Sequence, residues 1–213
     1  MAERFRLHGI WLSGPAYKAG LMLSLAGRKF DYVHVNLRAG EHKQPAFLKK
    51  NRFGQVPCLE DTKKKQAVVQ SPVILEYLAD EMKKFRGASA KDRIAIREWL
   101  FWEFDKLAPP MYRARGIRIG LRQASFDIAA MYHNDGLLAL KTLDSALKGK
   151  KWLVGKTCTI ADINIYGSLS YGPAGGFDLS ALPNVSAWKK RFEAQKHFMP
   201  PDQLLPKESR RAA

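Results

Sequence analysis

Ser71 and Pro72 stand together at the start of a helical pattern that runs through Tyr77 and Leu78 towards Phe85. Serine is favoured as a helix N-cap and proline at the first helical position, so the pair marks where the helix opens. A hydroxyl beside free amides at the positive end of a helix dipole is a seat for a carboxylate. The same serine also reads as a plain cap. A second candidate for anion chemistry is the series Arg113, Arg115, Arg118 and Arg122, with no acidic residue between Lys106 and Ser125. The last three are spaced to share one helix face, which is either a solvated basic surface or a site for an anion. Cys58 and Cys158 lie a hundred positions apart, a spacing that fits neither a disulfide framework nor a metal site, so both are expected to be buried apolar-type residues. His8, His34, His42, His133 and His197 are scattered without a pairing suited to zinc, and no metal is expected.

The chain must be large enough to position such residues. Its 213 residues are 46% hydrophobic and 11% aromatic, enough for a sizeable core, and 16 Gly and 11 Pro exclude collagen-like and low-complexity classes. The longest mostly apolar stretch, Gly20 to Gly27, is too short to span a membrane. Residues Met1 to Arg6 lack the apolar run and cleavage site of a secretory signal, so a cytoplasmic location is expected. The net charge of +16 divides evenly, with 16 basic against 8 acidic residues in 1–86 and 20 against 12 in 87–213. Neither part is a basic arm, and Lys63-Lys64-Lys65 reads as a hairpin tip without an aromatic stacking motif, so nucleic acid is not the expected partner.

Period-2 alternation predicts strands at Arg4 to His8 and Asp31 to Asn36, and the helical pattern Tyr17 to Ala26 between them makes the pair parallel. Val56 to Glu60 and Ala67 to Gln70 flank a short polar loop and predict an antiparallel hairpin. After the connector Arg86 to Ala90, residues 91 to 195 carry no strand signal. Thr159-Ile-Ala-Asp162 has the spacing of a capping box, with Cys158 and Ile163 placed as a hydrophobic staple across it.

These pieces, taken in order, resemble the cytosolic glutathione transferases, in particular the bacterial members. The resemblance is carried by Leu12-Ser-Gly-Pro-Ala-Tyr-Lys18, Asn51-Arg-Phe-Gly-Gln-Val-Pro-Cys-Leu59, Gln70-Ser-Pro-Val-Ile-Leu-Glu-Tyr-Leu-Ala79, Thr159-Ile-Ala-Asp162, Gly175-Gly-Phe-Asp-Leu179 and Pro183-Asn-Val-Ser-Ala-Trp188, six segments in order between Leu12 and Trp188. It implies an α/β thioredoxin-like N-terminal domain over residues 1–84, an all-α C-terminal domain over 90–200 and a basic tail over 201–213 whose end frays. It also implies a homodimer and detoxification by conjugation of glutathione, a co-substrate, to a small electrophile.

The resemblance assigns roles residue by residue. Val56-Pro57 would be the cis-prolyl turn that offers the Val56 backbone to an extended peptide, and Gln70 with Ser71 would hold the γ-glutamyl end. Lys43 would lie near the glycyl carboxylate, with His42 and Gln44 as unranked neighbours. Ser13 would activate the thiol, or serve only as a helix cap, with Tyr17 as a reserve hydroxyl. Trp11, Leu12, Phe104, Met111, Tyr112 and Arg115 are candidates for the electrophile site, an anionic electrophile being expected if Arg113 or Arg115 faces it. Two departures stand out: Pro15 replaces the Asn of Ser-Gly-Asn, and Arg52 replaces the Pro of Asn-Pro. Neither position of a Cys-x-x-Cys is present at Ser13 to Ala16, which excludes dithiol chemistry there. Two alternatives stay open: a glutathione-binding protein with poor turnover, suggested by Pro15, and a transferase-like interaction module whose charge serves nucleic acid.

Overall fold

Strand β1, Phe5–Gly9, sits at the centre of the first unit because Phe5, Leu7 and His8 are all buried between layers. The computed structural model describes residues 3–210 and falls into two compact units. Among the described residues the first comprises 3–84 with 196–210, and the second 85–195. Helix α1 (Gly14–Leu25) returns the chain to β2 (Asp31–His34), which lies parallel to β1 with Leu7 opposite Tyr32. A single-turn helix α2 (Pro45–Leu48) precedes the antiparallel hairpin of β3 (Cys58–Asp61) and β4 (Gln66–Val69), giving the sheet order β2-β1-β3-β4. Helix α3 (Ser71–Met82) closes the unit, burying Ile74, Leu75 and Leu78. Almost all of α1 is buried, Lys18 included.

A charged network ties the hairpin to α3. Arg4 Nε lies 3.1 Å from both Asp61 oxygens, Tyr77 donates its hydroxyl to Asp61 at 2.6 Å, and Lys64 at the hairpin tip pairs with Glu81. Burial alone would raise the Asp61 carboxyl; hydrogen bonds from Arg4 and Tyr77 overcome it and hold the group at about 2. The lysine run is a hairpin tip, as its sequence predicts.

The second unit is helical throughout: α4 (Ala90–Trp102), a π-helical segment Glu103–Leu107, α5 (Ala108–Arg118), α6 (Phe126–Leu147), α7 (Ile160–Leu169) and α8 (Pro183–Glu193). Every residue of α7 is buried, and its capping box is present, the Thr159 N–H donating to Asp162 Oδ2 at 2.9 Å. The other Asp162 oxygen accepts from the Leu153 N–H at 3.0 Å and the Trp188 indole at 2.9 Å. Helix α5 ends at Arg118 and Gly120 follows at φ +73°, so Arg122 lies beyond the helix. Its side chain folds back over Gly116, and the expected shared face of Arg115, Arg118 and Arg122 is corrected accordingly.

The helical domain expected to residue 200 ends at Gln195, and the segment expected to be a fraying tail is not separate. The chain instead rejoins the first unit from Lys196, with a short helix α9 (Pro201–Leu204). Arg210 exchanges backbone hydrogen bonds with Tyr32 at 2.7 and 2.8 Å, so this edge of the sheet is bridged rather than open. Residues 211–213 of the expected tail lie outside the described residues.

Candidate functional site

Register gathers the candidate peptide-binding residues. His8 on β1 pairs with Cys58 on β3, and Cys58 with Val69 on β4, so the segments that adjoin this row share one end of the sheet. These are the turn leading to Ser13, the Val56-Pro57 bond, and the Gln70-Ser71 helix start. Two strand spacings, roughly 10 Å, separate the outer members. An extended tripeptide is also about 10 Å long.

The Val56-Pro57 peptide bond is cis. The loop before it is held by Asn51, a buried side chain whose Nδ2 donates to Gln55 O at 2.6 Å and whose Oδ1 accepts from the Phe53 N–H at 3.0 Å. Gly54 has φ +56°, and a Cβ there would meet His42 O and Lys43 Nζ at 3.0 Å, so this turn needs glycine on two grounds. Arg52, in place of the usual proline, is exposed with its guanidinium 4.5 Å from the Phe53 ring centroid. Among the described residues the N–H and C=O of Val56 have no hydrogen-bond partner, which leaves a strand-like pair of groups for a ligand.

Gln70 adopts φ 69°, ψ 119°, a conformation that costs a non-glycine residue of order 1–3 kcal/mol and clusters at functional sites. It caps α3 through its carbonyl, which accepts from the Ile74 N–H at 2.9 Å. Ser71 is therefore the first helical residue rather than the cap, a correction to the sequence reading. Pro72 has no N–H, and no side chain caps this end, so the Ser71 and Val73 amides and the Ser71 hydroxyl remain for an anion.

Ser13 caps α1. Its Oγ accepts from the Ala16 N–H at 3.1 Å, and its carbonyl accepts from the Tyr17 N–H at 2.9 Å. Pro15 contributes no donor, so the Gly14 amide and the Ser13 hydroxyl proton are what this helix start offers a thiolate. Tyr17 is corrected as a reserve hydroxyl: it is fully buried and donates to Met199 O at 2.9 Å. Lys43 is exposed, with Nζ 3.0 Å from Gly54 O. Cys58 packs with Val35 and Phe47, and burial pushes its thiol up to about 11, which removes it as a nucleophile.

The electrophile candidates divide between the units. Trp11 and Leu12 form the turn before Ser13, in the first. Met111, Tyr112 and Arg115 are on α5, in the second. Met111 is buried against Gly136 and Gly172, and Tyr112 shares a 2.8 Å hydrogen bond with Ser168, whose hydroxyl donates to buried Glu103. Met111 is thus corrected to a packing role inside the helical unit, while Tyr112 is half-buried with its hydroxyl bonded within it. Phe104 is exposed, and Arg115 stacks over Tyr171 at 4.3 Å, burial pulling its guanidinium down. The residue the sequence reading missed is Lys207, whose Nζ lies 5.1 Å from the Trp11 ring centroid. The buried pair Leu204-Leu205 nearby was the available signal that this segment docks. Among the described residues no group of His, Cys, Asp and Glu is arranged to hold a metal.

The family model for the glutathione S-transferase N-terminal domain matches residues 3–80, and that for the C-terminal domain residues 135–196. A glutathione S-transferase of Hyoscyamus muticus is 30% identical over 195 residues, covering 84% of this chain and 91% of the relative. The chain belongs to the glutathione S-transferase family. A crystal structure of the glutathione S-transferase from Pseudomonas fluorescens superposes with a TM-score of 0.88 at 31% identity, covering 94% of this chain and all of that one. The implied thioredoxin-like and all-helical domains are thus those of a transferase, with bacterial members among its structural neighbours. The relatives also include the disulfide-bond oxidoreductase YfcG of Escherichia coli, 24% identical over 184 residues, 84% of this chain and 86% of that protein. No helix among the described residues is long and apolar enough to cross a membrane.

Proposed function

We propose that this glutathione S-transferase binds glutathione in extended form across the end of its sheet and uses the thiolate to attack a small electrophile. The Val56 N–H and C=O pair with the cysteinyl backbone. The γ-glutamyl carboxylate takes the Ser71 hydroxyl and amide at the start of α3, with Gln70 beside it, and Lys43 lies towards the glycyl carboxylate. What carries the reading is the conjunction of the cis Val56-Pro57 bond before β3 with the strained Gln70 and uncapped Ser71 that follow the neighbouring strand β4.

The thiol proton leaves to solvent as the Ser13 hydroxyl donates to the sulfur. A hydrogen bond to a charged group contributes about 1.5–3 kcal/mol, equivalent to lowering a thiol from about 8.5 by one to two pH units. The thiolate pair then forms the new S–C bond and the electrophile releases its leaving group or takes a proton. On the first unit, Trp11 and Leu12 remain the candidates for contacting that electrophile. Two free, buried cysteines suit a reducing cytoplasm, and the exposed Ile94 and Phe101, two turns apart on α4, suit a homodimer surface. With serine where a thiol would stand, disulfide exchange through an enzyme cysteine is not supported here.

Calorimetry with glutathione on the native chain and on Ser71→Ala tests the reading. Binding weakened roughly tenfold or more by the substitution is expected. No heat with either protein would overturn it. Pro15 favours the second reading, binding with slow turnover, which a normal affinity and inactivity against every electrophile tried would establish.

A further inference from the structure

The chain beyond α8 crosses the first unit at several fixed points. Ser24 Oγ donates to His197 O at 2.6 Å, and Tyr17 donates to Met199 O at 2.9 Å. Leu204 and Leu205, each 1% exposed, lie over Gly20, where a Cβ would stand 3.3 Å from Leu204 Cδ2. Further on, Ser209 Oγ accepts from the His34 N–H at 2.9 Å and Arg210 pairs with Tyr32 on β2. Lys207 lies between the leucine pair and this bridge. Its backbone is held on both sides, so placing its ammonium over the Trp11 ring orders little more than the side chain itself.

Trp11 and Leu12 are the central residues of the turn closed by the Ser13 N–H to Ile10 O at 2.8 Å, and that turn aims Ser13 at the head of α1. Because Pro15 withholds an amide, the direction of the Ser13 hydroxyl matters more here than at a helix start with a full set of donors. We propose that Lys207 is a positioning residue for Ser13: its cation–π contact with Trp11 clamps the Ile10–Ser13 turn and keeps the hydroxyl facing the thiol. The proposal rests on Ser13 acting as the thiolate donor. A contact of this kind at a partly exposed site shifts an equilibrium by roughly two- to fivefold.

The test uses the full chain with Lys207→Met, which keeps the aliphatic stem and removes the charge, and Lys207→Arg, which restores a cation. In the unliganded protein, hydrogen exchange at the Ser13 amide quickens roughly two- to fivefold in Lys207→Met and returns to the native rate in Lys207→Arg. With glutathione bound, ultraviolet titration of the thiolate shows its midpoint moved to higher pH in Lys207→Met and kcat lowered by a similar factor. Glutathione affinity stays within about twofold, since Val56, Gln70 and Ser71 carry the binding. An unchanged Ser13 exchange rate, an unmoved thiolate midpoint, or an Arg variant that behaves as the Met variant overturns the proposal. Absence of glutathione heat in the native chain overturns the reading of the site and the proposal with it, while the exchange rates separately report whether the clamp exists.

Discussion

The Ser13 hydroxyl oxygen accepts the Ala16 N–H at 3.1 Å and so keeps its own proton for a second partner. Capping and thiolate donation are therefore compatible in one side chain, and two substitutions separate them. Ser13→Ala loses both, with about 1 kcal/mol of stability and a roughly 10- to 100-fold fall in kcat/KM. Ser13→Gly loses the same activity but only a few tenths of a kcal/mol, because glycine is a tolerated cap. Urea unfolding and steady-state turnover on the two variants check this. Equal activities in native and variant proteins would remove Ser13 from the chemistry.

Gln70 at φ 69° provides a test of strain kept for binding. Gln70→Gly relieves the backbone and should leave stability unchanged or raise it by up to ~1 kcal/mol. Glutathione affinity should fall, since the side-chain amide is gone. A variant both less stable and equally tight-binding would contradict the assignment.

Asp61 governs behaviour in acid. Its folded value of about 2 lies below its ordinary 3.8, so the unfolded chain takes up this proton first. The stabilisation is complete above about pH 4, amounts to about 2 kcal/mol, and is lost as pH falls towards 2. Asp61→Asn should cost about that much at pH 7 and flatten this part of the stability profile, measured by thermal unfolding between pH 2 and 7. An unaltered acid profile would place the sensitivity elsewhere.

Gly136 on α6 has the Phe177 ring where a side chain would begin, with a Cβ 2.4 Å from its Cε1 and Cζ. Gly136→Ala should therefore destabilise the helical unit by roughly 1–3 kcal/mol despite the better helix propensity of alanine. Chemical unfolding decides it, and a stabilised variant would mean that the ring moves aside without cost.

The strands, the parallel pairing of β1 and β2, the hairpin and the Thr159–Asp162 box were legible because each has a short-range signature in residue type and spacing. The end of α5 was legible too, in Gly120, which the arginine spacing overrode. Gln70 was not, since glutamine carries no preference for positive φ and only the sheet and α3 together force it there. Nor were the roles of Tyr17 and Lys207, whose partners lie more than 180 residues away in the chain and leave no periodic trace. Met111 and Tyr112 follow from the packing of α5 against Gly136, Gly172 and Ser168, relations between helices that a single helix pattern does not contain.

The return of residues 196–210 to the first unit also sets an order of events during synthesis. The stretch 85–195 is continuous in sequence, whereas the sheet unit is complete only once residues 196–210 have been made. At about 5–20 residues per second, that interval is roughly 5–25 s. Throughout it the backbone groups of Tyr32 and the surface of α1 around Gly20 are uncovered. The nascent chain is most open to mispairing and chaperone capture over that window, and a ribosome stall between residues 85 and 195 would prolong it.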